Sequence, residues 1–417
     1  MEYKTYDFGH NRLHIIKTNK FKTINIKINF KTILKKEEKT IRNFISQILL
    51  CSSKNYSTKR KLQIESEELY GIDINSKSYR SGNYSVISFS TTFLNEFYTE
   101  KGMNEKSINF FKELILNPDI EKDSFKDFGF NLTKNILEED ITSIKDNPGR
   151  YSIIRLYEET APNTVLSYIP DGYLEDLKKI TKKNLYEYYR KMLKEDIVDI
   201  FVIGDVDVNE IKRLLNINIG SGKSKLEKHF LNLGNTRNDI NEVIEKKDIN
   251  QSKLAISCLF NDLTDFEKKY VLKLYTFILG GSGESILFKS LRGDNSLCYY
   301  VNARSSMLDG VITITSGIDK SKYKKAVKLI KKALEDIKRG DFDTEEIEKG
   351  KITFINSCKE IYDYPLDLLN VYVSHEYINN DLLETKIKEI EKVNKTMIVD
   401  LAKKIKINTI FLLEGGE

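Results

Sequence analysis

The sequence LKKITKKNLYEYYRKMLKEDIVDIFVIGDV, residues 177–206, indicates a duplicated fold, because a similar pattern returns at residues 390–416, IEKVNKTMIVDLAKKIKINTIFLLEGG. The apolar positions of the two stretches coincide in pairs: Leu177 with Ile390, Ile180 with Val393, and Leu185 with Ile398. Each copy predicts an amphipathic helix followed by a short hydrophobic strand. Self-similarity over a long spacing is typical of a duplicated architecture.

The segments upstream of these two stretches also repeat. YSVISFSTTF at residues 84–93 and GVITITSGI at 310–318 are predicted strands, each followed by a long amphipathic helix. Three positions in each helix define its apolar face: Ile108, Phe111 and Ile115 in the first copy, and Val327, Ile330 and Leu334 in the second. The first helix is predicted to end at Asn117-Pro118 in one copy and at Arg339-Gly340 in the other.

A further helix is then predicted to begin at residues of N-cap type in each copy. These are Asp123-Ser124 in the first copy and Asp343-Thr344 in the second. Both copies also open with similar strands, KTINIKINF at residues 22–30 and KLAISCLF at 253–260. The shared order of elements extends the duplication over most of the chain.

The sequence therefore predicts an α+β protein of two tandem homologous repeats of about 200 residues each. Residues 1–215 form the N-terminal repeat, the polar and glycine-dotted segment 216–239 is the linker, and 240–417 form the C-terminal repeat. Strands followed by pairs of helices favour mixed or antiparallel sheets with helices packed on one face.

Composition excludes several functional classes. The 417 residues carry 67 basic and 62 acidic side chains, and 40% of them are hydrophobic, which argues against disorder and against a nucleic-acid-binding surface. There is no apolar run of 18 residues and no apolar stretch of secretory type near Met1, so we expect a cytoplasmic protein that does not bind membranes. The four scattered cysteines predict reduced thiols rather than a zinc cluster.

One predicted helix carries an unusual polar cluster. In TIRNFISQILLC, residues 40–51, the apolar side chains recur with helical spacing. The uncharged residues Asn43, Ser46 and Gln47 lie away from that face at positions i, i+3 and i+4, where a metal site could be placed.

A glycine-rich stretch marks the second repeat. Gly280, Gly281 and Gly283 precede a predicted helix in LGGSGESILFKSLRGDNSLCYYV, residues 279–301, but the stretch lacks a phosphate-loop motif. Arg292 and Tyr299 follow, and such a pair supplies hydrogen-bond donors for a carbonyl or an oxyanion. The residues alone equally allow a surface role for Arg292 and a core role for Tyr299.

Over essentially its whole length the chain resembles the insulinase-like (pitrilysin-type) zinc metallopeptidases, in particular their short two-repeat branch. Residues 279–299 closely follow the family pattern L-G-G-G-x-x-S-x-L-F-x-x-x-R-x-x-x-x-L-x-Y, including the Arg-to-Tyr spacing of seven. The resemblance implies α/β-roll repeats, and it implies that Arg292 and Tyr299 bind the peptide carbonyl and steady the tetrahedral intermediate. It also implies that the glycines belong to the substrate-binding segment.

The same resemblance interprets the polar helix. The family's zinc helix carries H-x-x-E-H, and the alignment of apolar positions places Asn43 and Gln47 at the two histidines and Ser46 at the glutamate. The third ligand, a glutamate on a later helix, corresponds to Glu139. Asparagine and glutamine amides are poor zinc ligands and Ser46 cannot act as a general base, so we expect no metal or other cofactor in this chain.

The implied function is that of a non-catalytic subunit of a heterodimeric peptidase, similar to the probable inactive metalloproteases of Bacillus-type pairs and to processing-peptidase alpha subunits. We expect it to complete the chamber, to bind peptide, and to contribute Arg292 and Tyr299 to a zinc-bearing paralogue. Two alternatives remain open. The chain is either a peptide-binding scaffold without hydrolysis, or an active peptidase with an unusual metal site built from His10, His14 or Glu139.

Overall fold

The computed structural model describes residues 1–222, 233, 237 and 239–415. The strands are β1 (Glu2–Asp7), β2 (Arg12–Lys17), β3 (Thr23–Ile33), β4 (Asp73–Ser81), β5 (Tyr84–Leu94), β6 (Ile120–Glu121), β7 (Ser124–Phe125), β8 (Ile197–Gly204), β9 (Asn241–Lys246), β10 (Ser252–Phe260), β11 (Cys298–Ser306), β12 (Val311–Ile318) and β13 (Ile405–Glu414).

The α-helices are α1 (Lys39–Ile48), α2 (Lys59–Glu68), α3 (Met103–Leu116), α4 (Asp127–Thr142), α5 (Pro148–Thr160), α6 (Leu174–Lys179), α7 (Lys182–Glu195), α8 (Val208–Leu215), α9 (Leu272–Thr276), α10 (Tyr323–Arg339), α11 (Glu345–Ile361), α12 (Pro365–Ile378), α13 (Leu383–Ile390) and α14 (Lys395–Lys403). Three π-helical segments, Glu267–Val271, Phe277–Gly281 and Phe288–Gly293, lie in the second repeat.

The duplication predicted from the sequence is confirmed by the two large sheets. The first has the order β1-β2-β8-β3-β5-β4 and the second has the order β11-β12-β10-β13-β9. In both, one pair is parallel, β2 with β8 and β9 with β13, and the other neighbours are antiparallel. Apart from β1, each strand of the first sheet therefore has an equivalent in the second.

The chain packs into two compact units, each of which includes a segment from the other half of the sequence. Among the described residues, the first unit contains 1–142, 169–222 and 363–377, and the second contains 143–168, 233, 237, 239–362 and 378–415. Helix α5 therefore packs in the second unit, against β10 and β13, and α12 packs in the first. Each sheet thus carries one additional helix on the face opposite the several helices that the sequence predicts.

Strand β3 shows why both faces of the first sheet are covered. Its even-numbered residues Ile24, Ile26, Ile28 and Phe30 are buried in the main core, because side chains alternate between the two faces of a strand. Its odd-numbered residues face α12: Asn29 Nδ2 donates to the Tyr377 hydroxyl at 3.1 Å, and the Lys27 ammonium donates to the side chain of Asn370.

Most predicted helix boundaries are confirmed. Helix α3 ends before Asn117-Pro118, and α10 ends at Gly340, whose φ of 79° is the left-handed conformation that favours glycine. In the second copy, α11 begins after Thr344, and the Asp343 carboxylate accepts from the Glu345 amide at 2.9 Å.

The predicted start of the further helix at Asp123-Ser124 is wrong. Asp123 lies in the tight turn between β6 and β7 with a φ of 56°, Ser124 is the first residue of β7, and α4 begins only at Asp127. Aspartate is favoured both in turns and at helix N-termini, so residue type alone does not separate the two.

The predicted linker, residues 216–239, lies largely outside the described residues, so the boundary between the two repeats stays a prediction. No helix among the described residues is long and apolar enough to cross a membrane. The four cysteines are free thiols; Cys258 is fully buried, and burial raises its pKa to about 12.

Candidate functional site

Helix α1 carries the positions that correspond to the zinc ligands, and it lies in the first unit. Phe44 and Ile45 are buried in the core, as predicted. Asn43 and Ser46 are also buried, at 7% and 3% exposure, while Gln47 is half-buried. All three predicted positions therefore lie on one ordered helix with little access to solvent.

The polar groups of α1 make hydrogen bonds to nearby backbone. Asn43 Nδ2 donates to the carbonyl of Pro170 at 2.9 Å, and Ser46 Oγ donates to the carbonyl of Asn43 at 2.8 Å. The Asn43 amide oxygen is buried without a hydrogen-bond partner. One neutral amide oxygen and one hydroxyl do not fit Zn²⁺, which takes imidazole, thiolate or carboxylate ligands.

Glu139 lies on α4, which packs against α1 through stacked rings of Phe44 and Phe130 at 5.1 Å. Phe130, Thr133 and Leu137 form the buried face of α4. Glu139 is exposed, because two residues beyond Leu137 a helix turns by about 200°. The one ligand-type residue that the sequence retains is therefore directed away from the buried face.

The two histidines of the alternative metal site lie elsewhere in the first unit. His10 is in the turn before β2, and His14 is a buried residue of β2 whose Nε2 lies 3.4 Å from Asp199 Oδ1. Tyr3 and Thr5 hydroxyls bond to the other ring nitrogen of His14, at 2.9 and 3.0 Å. Within the described part of the chain, no group of three His, Cys, Asp or Glu side chains is placed to hold a metal ion.

The glycine-rich segment lies in the second unit, and its glycines have different structural roles. A Cβ atom at Gly280 would lie 2.8 Å from the Cβ and 2.9 Å from the backbone nitrogen of Ala303 on β11, so only glycine fits there. A Cβ atom at Gly281 would lie 3.3 Å from the carbonyl of Thr276. At Gly283 the space within 4 Å is open.

A β-bulge exposes two tyrosines at the start of β11. Cys298 pairs with Ile318 and Val301 pairs with Ser316, so Tyr299 and Tyr300 together oppose the single residue Gly317. Both tyrosines face solvent, Tyr299 with 79% of its surface exposed. A bulge interrupts the alternation of a strand and redirects side chains, which explains why Tyr299 is not a core residue.

Gly317 is required by the same arrangement. A Cβ atom there would lie 2.8 Å from Tyr300 Cε1 and closer still to Gln251 Oε1. The side chains of Tyr300 and Gln251 therefore lie over the bare backbone of Gly317. An isolated glycine in a strand pattern such as TITSGI is the sequence signal that could have indicated the bulge.

Arg292 and Tyr299, predicted as a pair, line one pocket of about 350 Å³, which we call the bulge pocket. Its lining residues are Gln251, Arg292, Ser296, Leu297, Cys298, Tyr299, Gly317, Asp319 and Lys322. Arg292 is exposed, and its guanidinium carbon lies 5.1 Å from the centroid of the Phe288 ring. The sequence did not single out Gln251, Gly317, Asp319 or Lys322, because they come from distant strands and turns.

Comparison with known proteins gives consistent relatives. The family profile of the peptidase M16 inactive domain matches residues 179–354. The probable inactive metalloprotease YmfF of Bacillus subtilis (strain 168) is 28% identical over 408 residues, which cover 97% of this chain and 96% of the relative.

Solved structures share the fold. A conserved protein from Enterococcus faecalis V583 has a TM-score of 0.92 and 28% identity, with coverage of 100% of this chain and 99% of the other. The peptidase M16 inactive domain from Pseudomonas fluorescens has a TM-score of 0.82 at 14% identity, with coverage of 100% and 99%.

Proposed function

We propose that the chain is a homologue of the inactive members of the M16 peptidase family, to which it is similar, and that it is the non-catalytic subunit of a heterodimeric peptidase. In this role it completes a peptide-binding chamber with a zinc-bearing paralogue. Arg292 and Tyr299 then contact the substrate carbonyl in trans.

The observation that carries the proposal is the contrast between the two sets of family positions. Asn43 and Ser46 are buried and engaged with backbone carbonyls, and Glu139 is directed away from the buried face of α4. Arg292 and Tyr299, in contrast, are exposed at a common pocket. A chain with the substrate groups and without the metal ligands requires a partner for hydrolysis.

The donor groups suit the proposed role in trans. A guanidinium and a phenol both donate hydrogen bonds, and donors directed at a developing oxyanion stabilise the transition state of peptide hydrolysis. Strand β4 lies at the end of its sheet in the described part of the chain, so it offers an edge to which an extended peptide can add as a further strand.

The test begins with purification of the full chain from its native cells, followed by identification of any zinc-bearing paralogue that accompanies it. The reconstituted pair is then assayed for peptide cleavage with wild-type chain, Arg292→Ala and Arg304→Ala. Arg304 is an exposed arginine on β11 outside the bulge pocket and serves as the matched control.

We expect Arg292→Ala to lower kcat/KM at least about 100-fold, the usual loss of one oxyanion donor, while the pair still assembles and Arg304→Ala cleaves normally. Unchanged cleavage by Arg292→Ala would contradict the role in trans. Peptide binding without any cleavage by the pair would instead favour a scaffold, and stoichiometric zinc in the isolated chain would contradict the non-catalytic assignment.

A further inference from the structure

We propose that the bulge pocket is a subsite for a peptide carboxylate, supplied either by an acidic side chain or by the C-terminus of the bound peptide. This inference rests on the proposed peptide-binding function and adds the chemical class of the group that is bound. It depends on the residues that surround the Arg292–Tyr299 pair, chiefly Lys322 and Gln251.

Lys322 places a second cation beside Arg292. Its ammonium lies 2.8 Å from Asp319 Oδ2 and donates to the carbonyl of Ser296 at 3.2 Å. Ser296 adopts a φ of 49°, in the left-handed region, in the turn that leads into β11. These contacts fix the Lys322 ammonium at the rim of the pocket, and an ammonium with three donors can take one further acceptor.

Gln251, in the bend before β10, adds a neutral donor to the pocket lining. Its Oε1 accepts a hydrogen bond from Lys253 Nζ at 2.8 Å. With its acceptor engaged, the amide has its NH₂ group available for the pocket that Gln251 lines. The Lys253 ammonium also lies 5.6 Å from the centroid of the Tyr300 ring. A third cation is therefore close to the pocket.

The charges lining the pocket do not balance. Arg292 and Lys322 contribute two positive charges, and Asp319 is the single carboxylate in the lining. Burial raises the pKa of Cys298, so its thiol stays neutral and does not offset the excess. A site with surplus cationic donors favours a ligand with anionic acceptors, because charge-assisted hydrogen bonds to a carboxylate are stronger than neutral ones.

The shape of the pocket fits a small group. Gly317 lies in the wall of the pocket, where the side chains of Tyr300 and Gln251 pack over its bare backbone. A volume of about 350 Å³ is near the lower limit for ligand pockets. It accommodates a carboxylate-bearing side chain or chain end rather than a long peptide segment.

The test measures binding of fluorescent peptides to the purified full chain by anisotropy. Three peptides share one neutral sequence and an acetylated N-terminus. The first has one internal glutamate and an amidated C-terminus, the second has glutamine in its place, and the third has glutamine and a free C-terminal carboxylate. The first and third peptides distinguish the two sources of the carboxylate.

The chain is tested as wild type, Lys322→Glu, Lys320→Glu and Arg292→Ala. Lys320 lies in the same short turn, has a half-exposed side chain and does not line the pocket, so it provides the same charge change as a control. Because an exposed charge pair contributes up to about 1 kcal/mol, we expect the glutamine peptide with an amidated end to bind roughly fivefold more weakly than the preferred carboxylate peptide.

Lys322→Glu is expected to remove this preference, whereas Lys320→Glu should keep it. Equal binding of all three peptides, with Arg292→Ala still weakening each of them, would overturn the carboxylate subsite and leave the proposed function standing. Absence of binding for all peptides would contradict both. A preference that Lys320→Glu and Lys322→Glu reduce equally would indicate a general charge effect and would also overturn the subsite.

Discussion

Side chains of one type in one motif differ in what the fold requires of them. The family resemblance assigns Gly280, Gly281 and Gly283 to one substrate-binding segment, and this role stays a prediction. In the structure, Gly280 is held against the backbone of Ala303, whereas Gly283 has open space around it. This distinction arises from a contact with β11, which a local motif does not reveal.

We therefore predict different effects of alanine at Gly280 and Gly283. Gly280→Ala introduces overpacking against Ala303 and should lower the free energy of unfolding by about 1–3 kcal/mol. Gly283→Ala, the matched control, should change it by less than about 1 kcal/mol, because the residue has no positive φ and no close neighbour. Urea denaturation of both variants measures the difference. Equal midpoints would show that β11 adjusts to the added methyl group.

Arg42 illustrates a residue whose role the sequence did not show. On the amphipathic pattern of α1 it is a polar position, yet it is completely buried, with Nη1 2.8 Å from Asp196 Oδ2 and Nε donating to Ser85 Oγ at 2.8 Å. Periodicity separates apolar from polar positions, but whether a polar position faces water depends on elements that are distant in sequence.

Helix α12 covers a face of the first sheet whose residues resemble a solvent-exposed face in sequence. The odd-numbered residues of β3 include Lys27 and Lys31, which are buried at 5% and 3% exposure. Lys31 Nζ lies 3.6 Å from Asp199 Oδ2 and 3.4 Å from the centroid of the Tyr377 ring. Burial alone would raise the pKa of Asp199. The hydrogen bond from His14 and the charges of Lys31 and Arg12 outweigh burial and lower this pKa to about 2.

Burial lowers the pKa of Lys27 from 10.5 to about 8, an effect to which the charge of Lys77 adds. The unfolded chain therefore binds more protons at Lys27 between about pH 8 and 10.5, so this group makes stability rise with pH in that window. Below pH 8 the folded protein carries the full cost of the buried charge.

We predict that Lys27→Met is more stable than wild type at pH 7, by on the order of 1–2 kcal/mol. The advantage should fall steadily above pH 8 and vanish by about pH 10.5. The partner left behind, Asn370, is exposed and can bond to water instead. Urea denaturation across this pH range measures the effect, with the exposed Lys17→Met as control. A difference that does not vary with pH would contradict the argument.

At the scale of the whole molecule, the sequence predicted the duplication, the order of elements and most helix ends, because these depend on local periodicity and on turn residues. It did not predict that segments 143–168 and 363–377 each pack in the unit formed mainly by the other half. The apolar face of a helix shows that it is buried but does not identify the sheet it covers. The bulge at Tyr299 was missed for a similar reason, since strand register depends on pairing.

The two exchanged helices cover chemically different faces, and this leads to a prediction about fragments. In the second unit, α5 covers Ala255, Phe411 and Leu413, which pack against its residue Leu156. A fragment of residues 240–417 lacks α5 and would expose this apolar cluster, and such exposed clusters promote aggregation. A fragment of residues 1–215 lacks α12 but would expose the polar side chains of β3, which water can solvate.

We therefore expect the fragment 240–417 to be insoluble when produced alone and to become soluble when residues 1–215, which carry α5, are produced with it. The fragment 1–215 alone should remain in solution. The soluble fraction after centrifugation and the cooperativity of thermal unfolding measure both expectations. As a control for the helix itself, Leu156→Asp in the 1–215 fragment should abolish the rescue, because it places a charge in the apolar cluster. A soluble 240–417 fragment with cooperative unfolding would show that the second sheet is stable without its exchanged helix.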